Sequence, residues 1–144
     1  MSTHHIRIRS VNVHRSNARM QAILQKEDSD ILLIQEPWFQ TVVTLRSNVN
    51  PEGDSQMGAP ANNRWDCHAP TLPPNSTCKA LTYSRRELTS IVKHVTSHPA
   101  ANPNTVVVDI DDGCSTAIRV INVYHEVLQR SHALHHLMAH EIDD

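Results

Sequence analysis

The first forty residues carry a strand–helix–strand pattern. Apolar and polar residues alternate over "HHIRIRSVNV", which predicts a strand whose carboxyl end holds Asn12. The next segment, "RSNARMQAILQKED", has apolar residues at helical spacing behind Ser16 or Asn17, either of which can cap a helix. "SDILLIQE" is then an unbroken apolar run, typical of a strand covered on both faces. This order predicts a parallel pair of strands joined by a crossover helix.

The rest of the chain predicts short strands and one last helix. Residues 40–64 lose periodicity and gather Pro, Gly, Asn and Ser, so we expect a surface loop there. Residues 88–97 are compatible with a strand or with a weak helix, and their β-branched content favours the strand. The predicted later strands lie near residues 64–70, 78–86, 88–97, 105–112 and 116–126, and the helix covers 127–144. Helices and strands that alternate in this way indicate one α/β domain over residues 1–144.

The composition limits the classes of protein to which this chain can belong, but it does not indicate a binding partner. Only 39% of the residues are hydrophobic and 3% aromatic, and the net charge is −2, which does not demand a polyanion. Three widely spaced cysteines without a CxxC motif predict reduced thiols rather than disulfides or a zinc knuckle. The N-terminus has no apolar signal-peptide core, and no apolar run reaches the roughly 20 residues that span a bilayer. We therefore expect an intracellular protein, nuclear or cytoplasmic, that is neither secreted nor bound to a membrane.

Four polar residues lie where the apolar strands end. They are Asn12, Glu36, Asn122 and Tyr124, and sites in α/β layers gather outside the carboxyl ends of strands. The Glu36 carboxylate suits Mg²⁺, which prefers oxygen ligands, and the Tyr124 hydroxyl can donate to a phosphate oxygen. Taken one at a time, each residue also has an ordinary explanation as a solvated strand end, a turn former or a packing group. Spacing alone leaves these alternatives open.

Two segments resemble a known family. "SVNVHRSNARMQAILQKEDSDILLIQEPWF" resembles the beginning of the endonuclease–exonuclease–phosphatase superfamily, in the branch carried by non-LTR (LINE-type) retrotransposons. "IRVINVYHE" resembles a later strand of that branch, which reads "N-x-Y". The resemblance covers about residues 6–39 and 117–140, while the middle matches only in its pattern of short strands.

The resemblance implies a fold, a chemistry and a set of site residues. The fold is α/β (α+β), a four-layer αββα sandwich, and the chemistry is cleavage of DNA phosphodiester bonds with Mg²⁺ or Mn²⁺ and no small-molecule cofactor. By the matching motifs, Glu36 and Asn12 correspond to the metal-binding residues and Tyr124 to the residue that contacts phosphate. Asn122 corresponds to a position that shapes the strand end.

The sequence departs from the family pattern in its second half. Neither a "GDFN" motif nor an "SDH" motif is present, and "DIDDG" at 109–113 precedes the "NVY" strand rather than following it. His125 stands where the family commonly has a small polar residue. We therefore expect a partial sandwich that lacks its C-terminal part, with little or no nuclease activity alone. Alternatives are a phosphatase for a small-molecule or lipid phosphate ester, and a vestigial or interaction domain without catalysis.

Basic residues give candidate contacts to DNA. Arg7, Arg9, Arg85 and Arg86 can each bind a phosphate, although isolated arginines on strands are more often solvated.

Histidines on the predicted last helix give a candidate zinc site. His132, His136 and His140 are spaced i, i+4, i+8, with His135 beside them. Because helical periodicity already explains them, the polar face of a packed helix is the favoured interpretation.

Overall fold

The computed structural model describes residues 5–45, 48–49, 52–70, 77–97, 102, 104–114 and 117–124. Its elements in chain order are β1 (Ile8–Asn12), α1 (Asn17–Lys26), β2 (Ile31–Gln35), β3 (Gln40–Leu45), β4 (Asp54–Gly58), β5 (Trp65–His68), β6 (Ala80–Arg85), a 3₁₀ turn (Arg86–Leu88), β7 (Val92–His94), β8 (Thr105–Ile110) and β9 (Ile118–Val123).

The predicted strand–helix–strand opening is confirmed. β1 and β2 pair in parallel, which places Asn12 beside Gln35 at the carboxyl ends of both strands. Helix α1 begins after Ser16, whose Oγ accepts a hydrogen bond from the Arg19 N–H at 3.2 Å. The cap and the apolar spacing that the sequence shows are thus the features that fix this helix.

Two sheets pack face to face. The first has the strand order β1-β2-β6-β5, and the second is antiparallel with the order β7-β8-β9. An apolar layer lies between them, and α1 covers the other face of the first sheet. The inter-sheet layer consists of Ile31, Ala80, Val92, Val106, Val108, Ile110 and Val120. The described chain is therefore a mixed α/β fold built mainly of strands, with a helix, a sheet and a second sheet as successive layers.

The loop predicted at residues 40–64 contains regular structure, so that prediction is wrong in part. β3 and β4 form an antiparallel two-stranded sheet of their own, with a register shift between Thr41 and Val43. The polar sequence of β4 gives no alternation to detect. Its strand conformation is recorded in its antiparallel pairing with β3. The helix predicted over 127–144, with its histidines, lies outside the described residues.

The three cysteines are free thiols. Cys78 is buried and its Sγ donates to the Ala80 carbonyl, whereas Cys67 and Cys114 are exposed. Burial raises the pKa of the Cys78 thiol to about 12, so this group stays protonated near neutral pH.

No helix in the described part of the chain is long and apolar enough to cross a membrane.

Candidate active site at the ends of β2 and β9

Glu36 and Tyr124 meet at one end of the sandwich. Glu36 directly follows β2 of the first sheet, and Tyr124 directly follows β9 of the second. The Tyr124 hydroxyl donates a hydrogen bond to Glu36 Oε1 at 2.9 Å, although the two residues are 88 positions apart in the chain. The Glu36 side chain is 25% exposed, so solvent and a ligand can reach it. The fold thus brings together two of the residues that the sequence nominates.

The backbone fixes the direction of the Glu36 side chain. Glu36 has φ of +50°, a left-handed conformation that costs an ordinary residue roughly 1–2 kcal/mol. Its N–H donates to the Lys79 carbonyl at 3.0 Å, and its carbonyl accepts from the Arg15 N–H at 2.7 Å. Pro37, which follows, is buried. Non-glycine residues held in this conformation are frequent at functional sites, where the surrounding structure imposes them.

Asn12 lies beside the site and organises the turn after β1. Its position opposite Gln35 puts it one residue from Glu36 in the register of the sheet. Its side-chain Oδ1 accepts a hydrogen bond from the His14 N–H at 2.9 Å. The structure therefore shows Asn12 as a turn former. Its predicted role as a metal ligand stays a prediction.

His14 is a site residue that the sequence analysis missed. Its Nδ1 lies 3.5 Å from Glu36 Oε2, whereas Tyr124 bonds the other oxygen, Oε1, and the His14 side chain is 67% exposed. His14 and Arg15 both have positive φ, at +52° and +60°. The available signal was its place two residues after Asn12, in the segment that leaves the same strand end.

A buried amide network lies behind the site. Asn122 is 1% exposed, and its Nδ2 donates to the carbonyls of Leu81 at 2.9 Å and Ile34 at 3.2 Å. Its Oδ1 accepts from Gln35 Nε2 at 2.7 Å, and Gln35 Oε1 accepts from Ser10 Oγ at 3.0 Å. These bonds tie β9 to β1, β2 and β6. They therefore fix the end of β9 against the end of β2, where Tyr124 meets Glu36.

Lys79 contributes a positive charge at the same end. Its Nζ lies 5.7 Å from the centre of the Tyr124 ring. No sequence pattern singles out Lys79, because it precedes β6 instead of following a strand. Since β6 runs antiparallel to β2, with Ala80 opposite Gln35, the start of β6 coincides with the end of β2.

The four arginines nominated for DNA lie away from Glu36. Arg85 ends β6 and Arg86 follows it, at the end of β6 that faces the start of β2, roughly 20 Å along the sheet from Glu36 at about 3.3 Å per strand residue. Each arginine has protein partners. These are Asp28 for Arg7 (3.3 Å), Glu27 for Arg9, Asp66 for Arg86 (3.6 Å), and the carbonyls of Ser29 and Glu27 for Arg85 (2.9 and 2.5 Å). Their contact with DNA stays a prediction.

The donor atoms fit a weakly held divalent cation. Glu36 offers one partly exposed carboxylate, His14 an imidazole nitrogen, and Asn12 an amide oxygen nearby. In the described part of the chain, no three His, Cys, Asp or Glu side chains converge on one point. A cation such as Mg²⁺ commonly binds in this way, through one or two protein groups with water in its remaining positions.

Comparison with known proteins places the fold. No family model matches the sequence, and no curated protein matches it. Among solved structures, the chain is similar to the endonuclease domain of TRAS1, a telomere-specific non-LTR retrotransposon, with a TM-score of 0.57 and 16% sequence identity. The match covers 95% of this chain and 54% of that one, so the chain spans about half the length of the domain that it resembles. The chain has an endonuclease-like fold.

Proposed function

We propose that this chain provides the cation-binding part of a DNA phosphodiester-cleaving site, in the retrotransposon branch of the endonuclease–exonuclease–phosphatase superfamily. The observation that carries the proposal is the hydrogen bond between Tyr124 and Glu36, which joins the two sheets at the strand ends. Both residues are those that the family motifs nominate. The fold shared with a retrotransposon endonuclease domain supports the same conclusion.

The residues at this end have distinct roles in the proposed chemistry. Glu36 holds the cation, and Mg²⁺ or Mn²⁺ there supplies positive charge to the oxygens of a bound phosphate. Tyr124 presents a hydroxyl whose hydrogen bond can pass from Glu36 to a phosphate oxygen. Lys79 adds positive charge beside the Tyr124 ring. Such groups act by position and charge rather than by forming covalent bonds.

The proposed activity of the chain alone is binding without cleavage. The family motifs that provide the groups acting on the attacking water, "GDFN" and "SDH", are absent from the sequence. General acid–base catalysis needs a group within hydrogen-bond reach of the proton that it moves. We therefore propose that the chain binds a divalent cation at Glu36 but does not nick DNA.

Two measurements test this proposal. The first is Mn²⁺ binding by electron paramagnetic resonance in the wild type, in Glu36→Gln and in the control Glu87→Gln, which alters an exposed glutamate of the 3₁₀ turn. We expect Glu36→Gln to lose a binding site that Glu87→Gln keeps. The second is incubation with supercoiled plasmid and Mg²⁺ or Mn²⁺, where we expect no nicking above buffer.

Each measurement can overturn its part of the proposal. Equal Mn²⁺ binding in the wild type and in Glu36→Gln would refute the proposed cation site at Glu36. Nicking by the wild type that Glu36→Gln abolishes would show a complete nuclease site, contrary to the binding-only activity proposed for this chain.

A further inference from the structure

We propose that His14 is a second protein ligand of the cation at Glu36, and that it makes the site select first-row transition cations over Mg²⁺. The inference rests on the cation site of the proposed function and adds a ligand and a class of metal to it. Neither the sequence motifs nor the structural comparison assigns a role to His14.

The distance between the two donor atoms suits a shared cation. His14 Nδ1 and Glu36 Oε2 are 3.5 Å apart. Two ligand atoms at about 2.1 Å from one metal ion are about 3.0 Å apart at a right angle and about 3.4 Å apart at a tetrahedral angle. A small rotation of either side chain therefore lets both atoms reach one ion. Tyr124 engages the other oxygen, Glu36 Oε1, so Oε2 faces His14 without competition from that hydroxyl.

The backbone holds His14 in this place. Its N–H donates to Asn12 Oδ1 at 2.9 Å, and the next residue, Arg15, donates its N–H to the Glu36 carbonyl at 2.7 Å. The turn is thus bonded at one end to its own strand and at the other to the residue that carries the carboxylate. With φ of +52°, His14 has a left-handed conformation that is uncommon for non-glycine residues, although histidine adopts it more often than most. Preorganisation of this kind reduces the entropy lost when a cation binds.

The kind of ligand sets the expected selectivity. Imidazole nitrogen suits transition cations, whereas Mg²⁺ prefers oxygen and keeps its waters. A nitrogen and oxygen site binds Co²⁺ more tightly than Mn²⁺, in the usual order of divalent metals. If His14 were only a positively charged partner of Glu36, its removal would change the affinity for all divalent cations in the same direction and by similar factors.

The test compares Co²⁺ and Mg²⁺ in the wild type, His14→Asn and Glu36→Gln. Co²⁺ binding is followed by its visible absorption and Mg²⁺ binding by amide chemical shifts, and the site is defined as the binding that Glu36→Gln removes. Asparagine tolerates positive φ and has no imidazole, so His14→Asn preserves the turn. We expect the Co²⁺ affinity of the site to fall at least about tenfold, because loss of a second-shell partner alone costs 10- to 100-fold. Mg²⁺ affinity should change less than about twofold.

The control is His5→Asn, which removes an exposed histidine before β1 and should leave both affinities unchanged. Circular dichroism checks that each variant is folded. If His14→Asn lowers the affinity for Co²⁺ and Mg²⁺ equally, or changes neither, His14 is not a ligand. Failure of Glu36→Gln to remove any binding would instead refute the proposed function itself, so the two outcomes are distinguishable.

Discussion

Asn122 shows how one side chain can hold the two sheets in register. It is buried between them, and its amide donates to carbonyls of β2 and β6 while its oxygen accepts from Gln35. A buried amide is tolerated only when its hydrogen bonds are made, and here both ends are engaged. Because Tyr124 lies two residues further along the chain, the position of Asn122 determines where that hydroxyl meets Glu36.

Replacing Asn122 should destabilise the protein more than its size suggests. Asn122→Ala leaves the Gln35 amide and two strand carbonyls without their partner in a buried place. We expect a loss of about 2–4 kcal/mol in the free energy of unfolding, measured by urea denaturation. The control Asn63→Ala alters an exposed asparagine and should change it by less than about 0.5 kcal/mol. If Asn122→Ala lowered the free energy of unfolding by less than about 1 kcal/mol, the hydrogen-bond network would contribute little to the stability of the fold.

The sequence identified some of these residues and could not have identified others. Asn12, Glu36 and Tyr124 stood out because polar residues ended apolar strands and matched a family motif. Their spacing could not show that Glu36 and Tyr124 touch, because that contact joins residues 88 apart across two sheets. His14 and Lys79 reach the site through a turn and an antiparallel strand start, and neither feature has a local sequence pattern.

At the scale of the element, the end of α1 shows what three of the basic and aromatic residues do. The last carbonyls of a helix have no partner within it and must find other donors. Side chains from β5 and β6 and the residue before β5 provide them. The Leu24 carbonyl accepts hydrogen bonds from Arg64 at 3.0 Å and from the Trp65 indole at 2.8 Å. The Glu27 carbonyl accepts from Arg64 at 2.8 Å and from Arg85 at 2.5 Å. The Ser29 carbonyl accepts from Arg85 at 2.9 Å. The Arg85 guanidinium also lies 4.7 Å from the centre of the Trp65 ring.

The neighbouring arginines Arg85 and Arg86 should therefore behave differently when each is replaced. Arg85 is 14% exposed and caps the helix, whereas Arg86 is 58% exposed and pairs with Asp66. Arg85→Met should lower the free energy of unfolding by about 1.5–3 kcal/mol, the usual range for hydrogen bonds from a charged group. Arg86→Met should lower it by less than about 1 kcal/mol. Urea denaturation of both variants checks this, and equal losses would contradict the capping role of Arg85.

The elements that the sequence predicted are those whose signals are local. β1, α1 and β2 follow from alternation, a serine cap and an apolar run, and all three are present. β3 and β4 were missed because β4 is largely polar and its pairing with β3 is not revealed by short-range patterns. The same limit applies to the strand order, because β6 pairs with β2 although the paired residues Gln35 and Ala80 are 45 positions apart in the chain.

At the scale of the whole molecule, the two sheets are joined at both sides of the sandwich. The Asn122 network lies on the side of β1 and β9, and a pair of histidines lies on the other, where β5 and β7 are the outer strands. The rings of His68 and His94 meet edge to face with their centres 5.8 Å apart, and His68 Nε2 lies 2.9 Å from Ser84 Oγ. Burial lowers the pKa of both imidazoles, and the charge of His94 lowers the pKa of His68 further, while Asp66 opposes the shift at His68. Neutral rings therefore suit this contact.

Mild acid should weaken the fold through this pair. The folded-state pKa of each histidine lies below the unfolded value of about 6.5, so the unfolded chain binds more protons as the pH falls below about 6.5. This contribution to stability is complete above about pH 6.5 and decreases as the pH falls through 6.5 towards the folded-state values. His94→Leu removes one titrating ring and the charge facing His68, so the loss of stability between pH 7.5 and 5.5, measured by urea denaturation, should be smaller than in the wild type. The exposed-site control His5→Leu should lose as much as the wild type, and an equal loss in His94→Leu would show that the pair does not govern the acid response.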